Sequence, residues 1–421
     1  MKVKIRNRFF FSLTTFLFLV LFVNSCSITE ADNDSDWPSA TENVNGEILD
    51  YEGFEILKLW GTNYEQGYAY GYLKAPSFVE FAENYLADPV VNFDIEIWET
   101  GLGMLDMFNY PADYESELQG FLDGLETRAG EPIFLDAFQR NLSLNDLKAL
   151  QSDLDKIQCS SFTAWGNMTS DGNTITGRNM DQDLINAMMA TQFIIARIPD
   201  MGSGKLGWVS VNWPGEIGCT TGMNEDGVTV SQQDVYRYPP TAAEGFTPDN
   251  LLHRMIIESA QAGSVIQEVE NILQNNYVAT GCAPMISWPY NGSDYAAIVP
   301  EFDGKIGVTN GFTIRYPESG LEYIISANHF REREIPMGYC WRYNLIESEM
   351  QQIASSNGNE YLTVGKAWEI LVQTPIPEMR AMHSVVFETN NKLIHIAFTE
   401  NGIQAPGCTN VTLNIEDILS R

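Results

Sequence analysis

The spacing of apolar residues divides the chain into a helical part and a strand-rich part. Between residues 46 and 158, leucine and phenylalanine recur every three or four positions, which places them on one face of a helix. This spacing is clearest in two runs: Leu118, Phe121, Leu122 and Leu125, then Leu147, Leu150 and Leu154. Glycines are interleaved with tyrosines earlier in the same part, at Gly61, Gly67 and Gly71. We therefore predict a mainly helical segment over residues 46–158, with backbones in close contact near these glycines.

From residue 159 onward the apolar period shortens to two, as in a strand. Strands are predicted at 174–176, 192–198, 206–212, 227–233, 323–327, 383–387 and 393–398. The sequence Asn224-Glu225-Asp226-Gly227 predicts a turn between two of them, because Asn and Gly tolerate positive φ. Helices are predicted at 248–260, from 264 to about 274 with Ser264 and Gln267 as a capping box, and at 341–353. Sheet segments surrounding helical pairs indicate a layered α+β fold.

The clearest chemical signal lies where the period changes. Cys159 opens the first of these strands, an Asp171-Gly172 turn follows, and Arg178 and Asp181 lie in the next strand. A hairpin of these two strands would bring the thiol, the guanidinium and the carboxylate together. An arginine lowers the pKa of a neighbouring thiol, and a carboxylate orients an amine or a water, so the arrangement indicates a nucleophilic site. The plainer interpretation is an inert buried thiol beside a structural ion pair.

Size and composition indicate a folded globular protein. The 421 residues suffice for one large core or two medium ones, and 44% of them are hydrophobic. The 56 acidic residues outnumber the 24 basic ones, which gives a formal net charge of −32. No nucleic-acid partner is expected, because no basic face would neutralise phosphates. Solubility of an exported protein is a sufficient reason for this acidity.

The first residues have the pattern of a targeting segment. A basic start precedes an apolar run from Phe9 to Val23, which is shorter than the roughly 20 residues of a membrane-spanning helix. The run ends in Val23-Asn24-Ser25-Cys26, which resembles a bacterial lipoprotein signal. We predict that residues 1–25 are a signal peptide and that Cys26 carries the lipid that anchors an exported protein, in the periplasm or at the cell surface. Residues 26–45 would form an acidic tether too polar to fold alone. An ordinary signal peptide followed by a stray cysteine is the alternative.

Four of the six cysteines have no role assigned by these patterns: Cys219, Cys282, Cys340 and Cys408. In an exported protein they could pair as disulfides, with three connectivities open. None lies in a Cys-x-x-Cys pair or a cysteine-histidine cluster, so no metal site is predicted. No other cofactor is expected.

Several short motifs follow one another along nearly all of the chain after the tether. They are Gly61 with Glu65-Gln66-Gly67 and Gly71, Cys159-Ser160-Ser161-Phe162, Gly177-Arg178-Asn179-Met180-Asp181, Trp213-Pro214-Gly215, Gly222 to Gly227, Ala327-Asn328-His329-Phe330, Arg342-Tyr343, and His383 to Phe387. In this order they resemble the N-terminal nucleophile (Ntn) hydrolases, most closely the acyl-coenzyme A:6-aminopenicillanate acyltransferase-like autoproteolytic family, which is related to the choloylglycine hydrolases. The resemblance implies a four-layer αββα sandwich. Residues 46–158 would precede it as a propeptide or an α-chain-like segment, and residues 159–421 would form the catalytic core.

The resemblance also implies that the chain cuts itself. Cys159 would attack the carbonyl of Gln158, and hydrolysis of the resulting thioester would free Cys159 as a new chain start. A terminal α-amine ordinarily titrates near 7.7–8.0, so it would take the thiol proton near neutral pH and later give a proton to the leaving amine. This logic lets a chain with four histidines, none beside Cys159 in sequence, carry out acyl transfer.

Four further residues receive roles from the resemblance: Arg178 near the thiolate, Asp181 on the α-amine, Asn328 as amide donor to the oxyanion, and Arg342 in the polar network around Cys159. Two positions depart from the relatives. Choloylglycine hydrolases have an asparagine where this chain has Asp234, or Gln233 with a one-residue shift, and a carboxylate donates to an oxyanion only when it is protonated. Gln158 stands where glycine often precedes the nucleophile. The second oxyanion donor and the efficiency of self-cleavage therefore stay open.

The sequence thus predicts an autoprocessing hydrolase that cleaves a linear amide of a small acylated molecule through a Cys159 thioester. Acyl transfer is a second outcome of the same thioester. Two alternatives stay open: phospholipase-B-like or ceramidase-like lipid deacylation, and a lipoprotein that only binds an acylated ligand. The oligomeric state is not predicted. Aromatic residues of the helical part could line an acyl pocket or pack a core: Trp60, Tyr64, Tyr68, Tyr70, Phe78 and Phe81.

Overall fold

Two β-sheets lie face to face, and helices cover the outer side of each. The computed structural model describes residues 37–152, 158–235, 244–279, 281–304, 311–333, 339–377 and 379–420. The predicted signal peptide, Cys26 and the tether as far as residue 36 lie outside the described residues. Within the described ranges, the predicted four-layer αββα arrangement is confirmed.

The described helices and strands have the following bounds. The helices are α1 (Asn63–Leu86), α2 (Ile95–Leu102), α3 (Ala112–Ala129), α4 (Leu144–Ser152), α5 (Asn186–Ala190), α6 (Asp249–Ser259), α7 (Val265–Asn275), α8 (Trp341–Ser355), α9 (Val364–Gln373) and α10 (Ile415–Leu419). In spatial order, the larger sheet contains β1 (Gly46–Tyr51), β2 (Phe54–Gly61), β7 (Phe193–Pro199), β8 (Trp208–Asn212), β9 (Thr221–Asn224), β10 (Thr229–Ser231), β13 (Met285–Ser287), β14 (Ala297–Phe302), β12 (Gly281–Cys282) and β11 (Asp234–Val235), with β15 (Phe312–Arg315) paired to β14. The smaller sheet contains β16 (Tyr323–Ala327), β5 (Gln158–Ala164), β6 (Ile175–Gln182), β17 (Arg380–Glu388), β18 (Leu393–Phe398) and β19 (Val411–Asn414). A separate hairpin pairs β3 (Phe134–Leu135) with β4 (Arg140–Asn141).

The strand β7 shows how the layers form, because it is buried on both faces. Ile194 and Ala196 point into the space between the sheets, where they join Val385 of β17 and Ile394 of β18 in one apolar cluster. The alternate residues, such as Ile195, point to the outer side and pack with helices α1, α3, α4, α6 and α7. Successive side chains of a strand point to opposite faces, so one continuous apolar run serves two cores.

The smaller sheet has its own helical layer. Phe162 and Ala164 of β5 point away from the larger sheet and pack against α8 and α9 through residues such as Ile346 and Leu371. Thr163, which lies between them on β5, points the other way, toward the larger sheet. This alternation means that residues on β5 face either the inter-sheet space or the α8–α9 layer.

Glycine brings α1 and α3 into backbone contact, as the sequence predicted. A Cβ on Gly67 would lie 2.0 Å from the carbonyl oxygen of Glu117, and one on Gly124 would lie 2.2 Å from that of Tyr68. No other residue fits at these positions without moving a helix. The helix α1 begins with a capping box between Thr62 and Glu65.

Most predicted elements occur near their predicted positions. The strands predicted at 323–327 and 393–398 have those bounds in β16 and β18, and the helix predicted at 248–260 is α6. The predicted Ser264–Gln267 capping box is wrong. Ser264 is the N-cap of α7, but its ψ of 16° is far from the extended conformation of a capping serine, and its side chain makes no cap hydrogen bond. The hairpin of β1 and β2, which opens the mainly helical segment, was not predicted.

The described cysteines are free thiols, so none of the pairings open to Cys219, Cys282, Cys340 and Cys408 is formed. Of the residues assigned to the tether, Thr41 and Glu42 donate main-chain hydrogen bonds to the hydroxyl of Tyr72 in α1. No helix in the described ranges has the length and apolarity needed to cross a membrane.

A buried charge network ties the outer helices to the larger sheet. Glu117 of α3 lies 2.5 Å from Arg197 of β7 and 2.7 Å from Arg254 of α6, and all three side chains are at most 1% exposed. Asn63 also donates to Glu117. One carboxylate thus compensates two buried guanidinium groups that belong to different layers.

We expect Glu117→Gln to destabilise the fold by about 3–5 kcal/mol, because it leaves the buried Arg197 without its anion and leaves Arg254 with Glu258 alone. The matched control is Glu115→Gln, on the same helix, which removes a half-exposed partner of Lys148 and is expected to cost less than about 1 kcal/mol. Urea unfolding of both variants measures the difference. Equal losses in the two variants would contradict the assigned role of the network.

Candidate active site

The hairpin of β5 and β6 places three of the predicted residues. Cys159 pairs with Met180, and Ser161 pairs with Arg178, so the thiol and the guanidinium share the face that looks into the inter-sheet space. Asp181 pairs with Gln158 and points to the opposite face, toward α8 and α9.

The Cys159 sulfur is fully buried and contacts a cation. The Nη2 of Arg178 donates to Sγ at 3.4 Å, while its Nη1 donates to the main-chain carbonyl of Gln232. Burial raises the pKa of the Cys159 thiol to about 12, against the lowering effect of Arg178. The thiol in the uncut chain is therefore protonated at neutral pH, with a guanidinium in place to stabilise the thiolate when it forms.

Asn328 and Arg342 hold the main chain of Cys159 on both sides. The Cys159 amide donates to the Oδ1 of Asn328 at 2.8 Å, and its carbonyl accepts from the Nη1 of Arg342 at 2.8 Å. The Nη2 of Arg342 also donates to the Oδ1 of Asn328, at 2.8 Å. The pairing of β16 with β5 brings Asn328 to this position, because Ala327 pairs with Ser160. Arg342, in the first turn of α8, is buried.

The side-chain amide of Asn328 has its orientation set by its partners. Its Oδ1 faces two donors, and its Nδ2 donates to the main-chain carbonyl of Asp234 at 2.7 Å. In the uncut chain the NH₂ group predicted to serve an oxyanion is therefore bonded to Asp234. The oxygen of the same amide is the group that touches the nitrogen of Cys159.

Asp181 is a buried carboxyl beside the guanidinium of Arg342. Its Oδ2 lies 3.4 Å from the Nη1 of Arg342, and its Oδ1 is buried without a hydrogen-bond partner among the described residues. Burial raises the pKa of Asp181 to about 7, although Arg342 and the main chain of Ile376 act to lower it. This carboxyl is thus poised to accept another positive charge.

The two residues considered for the second oxyanion donor occupy different surroundings. Gln233 is held on both sides of its amide, since Nε2 donates to Ser161 at 2.5 Å and Oε1 accepts from the main chain of Met285 at 2.9 Å. The Asp234 carboxyl accepts from the side chain of Gln232 at 2.7 Å. The same Gln232 amide donates to Asp249 at 3.2 Å. Neither position offers an amide directed at the sulfur.

The one group of potential metal ligands found in the described ranges lies beside this network. Ligand atoms of Asp234, Asp249 and Cys282 lie within 4.8 Å of one another. Hydrogen bonds from Gln232 to both carboxyls, and from the Cys282 thiol to Asp249 at 3.5 Å, hold the group together. These hydrogen bonds account for the cluster without an ion.

An apolar cavity of about 110 Å³ lies beside side chains that pack around Cys159. Cys159 belongs to the same apolar cluster as Met188 and Trp213, and both of these residues also line the cavity. Of the aromatic residues proposed for an acyl pocket, Phe78 and Phe81 line this cavity, whereas Trp60, Tyr64, Tyr68 and Tyr70 do not.

The loop of Trp213, Pro214 and Gly215 forms part of the cavity wall and is fixed by Tyr70. The Tyr70 hydroxyl donates to the carbonyl of Trp213 at 3.0 Å and accepts from the amide of Gly215 at 2.9 Å. The sequence singled out this loop only by resemblance, without a role.

Gln232 is a further residue of the site that the sequence did not predict. Its carbonyl holds Arg178, while its side chain bridges two carboxyls. The signal available was its place directly after the strand that follows the Asn224–Gly227 turn.

No known protein-family profile matches the sequence. An uncharacterized protein of Archaeoglobus fulgidus is 24% identical over 203 residues, which are 44% of this chain and 33% of that protein. The chain thus spans about a third of the length of that relative. The protein dcd1B of Dictyostelium discoideum is 25% identical over 403 residues, which are 88% of this chain and 74% of that protein.

Three similar solved structures are enzymes by title. They are an ortholog of N-acylethanolamine-hydrolyzing acid amidase from Caenorhabditis elegans (13% identity, TM-score 0.42, 55% of this chain and 93% of that one), a variant of the conjugated bile acid hydrolase of Clostridium perfringens (12%, 0.41, 62% and 94%) and the penicillin V acylase of Agrobacterium tumefaciens (14%, 0.35, 57% and 83%). These are proteins to which the chain is similar over part of its length. The αββα layering itself is established by the packing of this chain's own sheets and helices.

Proposed function

We propose that the protein is an autoprocessing cysteine Ntn hydrolase that cleaves a linear amide through a thioester on Cys159. One observation carries this proposal: the guanidinium of Arg178 touches the sulfur while Asn328 and Arg342 hold the nitrogen and carbonyl of the same residue. A structural thiol requires none of these contacts. A nucleophile that must keep its position after its own amide bond breaks requires all of them.

The proposed self-cleavage uses this geometry. The Cys159 sulfur attacks the carbonyl carbon of Gln158, the bond from that carbon to the Cys159 nitrogen breaks, and the thiol proton ends on the nitrogen. Water then hydrolyses the thioester, which leaves a carboxylate on Gln158 and a free α-amine on Cys159. The oxygen of Asn328, 2.8 Å from this nitrogen before the cut, remains an acceptor for the amine after it.

Turnover uses the same groups on a substrate. The α-amine takes the thiol proton, the thiolate attacks the substrate amide, and the protonated amine gives its proton to the leaving amine. Water then hydrolyses the thioester, which releases the acyl group as a carboxylic acid and restores the thiol. Asp181, with an unpartnered buried Oδ1 among the described atoms, would stabilise the ammonium form. Arg178 would stabilise the thiolate, and the amide of Asn328 would serve the oxyanion once a substrate competes with the Asp234 carbonyl.

The apolar cavity beside Cys159 also favours a second candidate, lipid deacylation by the same thioester. Its aromatic walls suit the hydrocarbon part of either an N-acyl amide or a lipid. Acyl transfer to a second amine would share the intermediate. Binding of an acylated ligand without reaction is the outcome if the chain is never cut.

Denaturing mass spectrometry of the purified protein tests the proposal. We expect the wild type to contain a fragment that begins at Cys159, and Cys159→Ala to remain one uncut chain, because the alanine has no nucleophile. The wild type should release the fluorophore from N-acyl aminocoumarin amides, and Cys159→Ala should not. The matched control Cys408→Ala, at a half-buried thiol far along the chain, should behave as the wild type. An intact, inactive wild-type chain would leave only the ligand-binding alternative.

The buried carboxyl of Asp181 predicts a pH-dependent stability in the uncut Cys159→Ala chain. Its folded-state pKa of about 7 lies above the ordinary value of 3.8, so the unfolded chain ionises first as the pH rises. The stability that the protonated Asp181 carboxyl contributes is therefore fully present below about pH 4 and is lost as the pH rises toward 7. Adding Asp181→Asn should remove this loss, which amounts to up to about 4 kcal/mol for a shift of about three units.

Urea unfolding of the two chains between pH 4 and 8 measures this effect. The control Asp171→Asn, in an exposed turn, measures how the loss of one surface charge changes the free energy of unfolding. A stability difference between the chains that stays constant over this range would rule out the assigned burial of the Asp181 charge.

We also propose that residues 1–25 direct export and that a lipid on Cys26 anchors the protein to a membrane. The basic start, the apolar run and the Val23-Asn24-Ser25-Cys26 ending support this proposal. The wild type is expected in the membrane fraction of expressing bacteria, and Cys26→Ser in the soluble fraction, since one substitution removes the acceptor of the lipid. A wild type that fractionates as the serine variant does would argue against the anchor.

A further inference from the structure

The cavity beside Cys159 is apolar except at a few side chains. Most of its wall is aromatic or aliphatic, with Phe81, Phe93 and Trp98 among its residues. Its volume of about 110 Å³ is near that of cavities that hold one benzene ring. The cavity therefore fits a ring or a short branched chain.

Three polar side chains in the wall have no hydrogen-bond partner for their buried atoms. These atoms are Oε1 of Gln182, Oγ1 of Thr220 and both carboxyl oxygens of Glu216, as judged over the described part of the chain. Gln182 is 0% exposed and Thr220 is 1% exposed. Leaving such a group buried and unpaired is energetically costly, and native proteins rarely do so without a reason.

A fourth polar side chain in the same wall shows what a purely structural role looks like. Gln151 donates from Nε2 to the carbonyl of Gly215 at 2.9 Å, and its Oε1 accepts from the amide of Ile217 at 3.0 Å. The side chain of Gln182, in contrast, reaches only the sulfur of Met188, at 3.8 Å. Gln151 holds the wall together, whereas Gln182 turns an acceptor toward the cavity.

Two of these three side chains, Gln182 and Thr220, belong to segments that also position the residues around Cys159. Gln182 follows Met180 by two residues on β6, and Met180 is the cross-strand partner of Cys159, so both side chains point toward the inter-sheet space. The carbonyl of Thr220 accepts from the amide of Gln232, the residue whose own carbonyl holds Arg178. The cavity wall is thus connected through β6 and Gln232 to the groups that surround the sulfur.

Glu216 adds a carboxyl to this polar end. Burial raises the pKa of Glu216 to about 7. The main chain of Trp213 and the amide of Asn250 act to lower that pKa, yet neither gives Glu216 a hydrogen bond of normal geometry within the described residues. The polar end of the cavity is thus rich in acceptors, and a group that donates hydrogen bonds is its natural complement.

We propose that this cavity selects an acyl group of about one ring in size that carries a hydrogen-bond donor, a hydroxyl or a protonated amine, for Gln182, Thr220 and Glu216. This inference rests on the proposed amide hydrolysis and narrows its substrate class. A plain hydrocarbon acyl group fills the same space but leaves all three acceptors buried and unpaired. A site built for hydrogen bonds discriminates strongly against an analogue that lacks them.

Matched aminocoumarin amides of three acids test the inference on the full-length protein: phenylacetic acid, para-hydroxyphenylacetic acid and para-aminomethylphenylacetic acid. We expect kcat/KM to favour at least one of the two donor-bearing amides by about tenfold or more over the phenylacetyl amide. Gln182→Leu and Thr220→Val remove acceptors with little change of shape, and each should reduce that ratio several-fold. The control Thr412→Val, on β19 at the surface, should keep the wild-type ratio.

The possible outcomes separate this inference from the proposed function. Hydrolysis of all three amides without preference, or a preference that persists in both variants, would overturn the inference and leave amide hydrolysis standing. If no amide is cleaved, quenching of tryptophan fluorescence by the free acids still tests the cavity, because Trp98 and Trp213 line it. Tighter binding of a donor-bearing acid, weakened by Gln182→Leu, would support the inference, and equal binding of the three acids would refute it.

Discussion

Shifting β5 by one residue against β6 would turn Cys159 toward α8 and α9 and separate its sulfur from Arg178, so the register of these two strands governs the site. The pairing of Phe162 with Gly177 fixes this register. A Cβ on Gly177 would lie 2.3 Å from the Phe162 ring, so only glycine fits beneath that ring. The pairing of β16 with β5 then carries the same register to Asn328. Three strands and one glycine thus fix atoms that are distant in sequence.

Burial determines the charge state of the groups that this register brings together. The Cys159 thiol keeps its proton despite the neighbouring Arg178, and the Asp181 carboxyl is raised toward neutrality despite Arg342. Both shifts have desolvation as their largest cause. An α-amine formed at residue 159 would be a base for the first group and, once protonated, a cation for the second. The chemistry proposed for the site would therefore offset the desolvation cost that folding imposes on these two groups.

Sequence patterns predicted the layers and the hairpin well because both depend on residues that lie close together in the sequence. The β16 and β18 bounds follow from short apolar runs, and the β5–β6 hairpin follows from a turn and two flanking strands. Asn328 and Arg342 reached the list of candidates only through the resemblance, since they meet Cys159 across more than 160 residues. No spacing rule could have linked them to it.

Gln232 was missed for the same reason. It acts through contacts that form only when separate segments pack, and it belongs to none of the motifs in the sequence. The failed capping box at Ser264 is the opposite case. There the residue types were right, but the incoming chain sets a ψ that turns the hydroxyl away. Tertiary context decided both kinds of error.

The chain that precedes Cys159 folds together with the chain that follows it. Its strand β2 runs parallel to β7 within the larger sheet, and its helix α1 supplies Phe78 and Phe81 to the cavity. Cleavage before residue 159 would therefore yield two polypeptides that stay folded together. The wall of the cavity would then be shared between the two polypeptides, since Gln182 and Trp213 lie after the nucleophile, and neither polypeptide would refold into a complete site without the other.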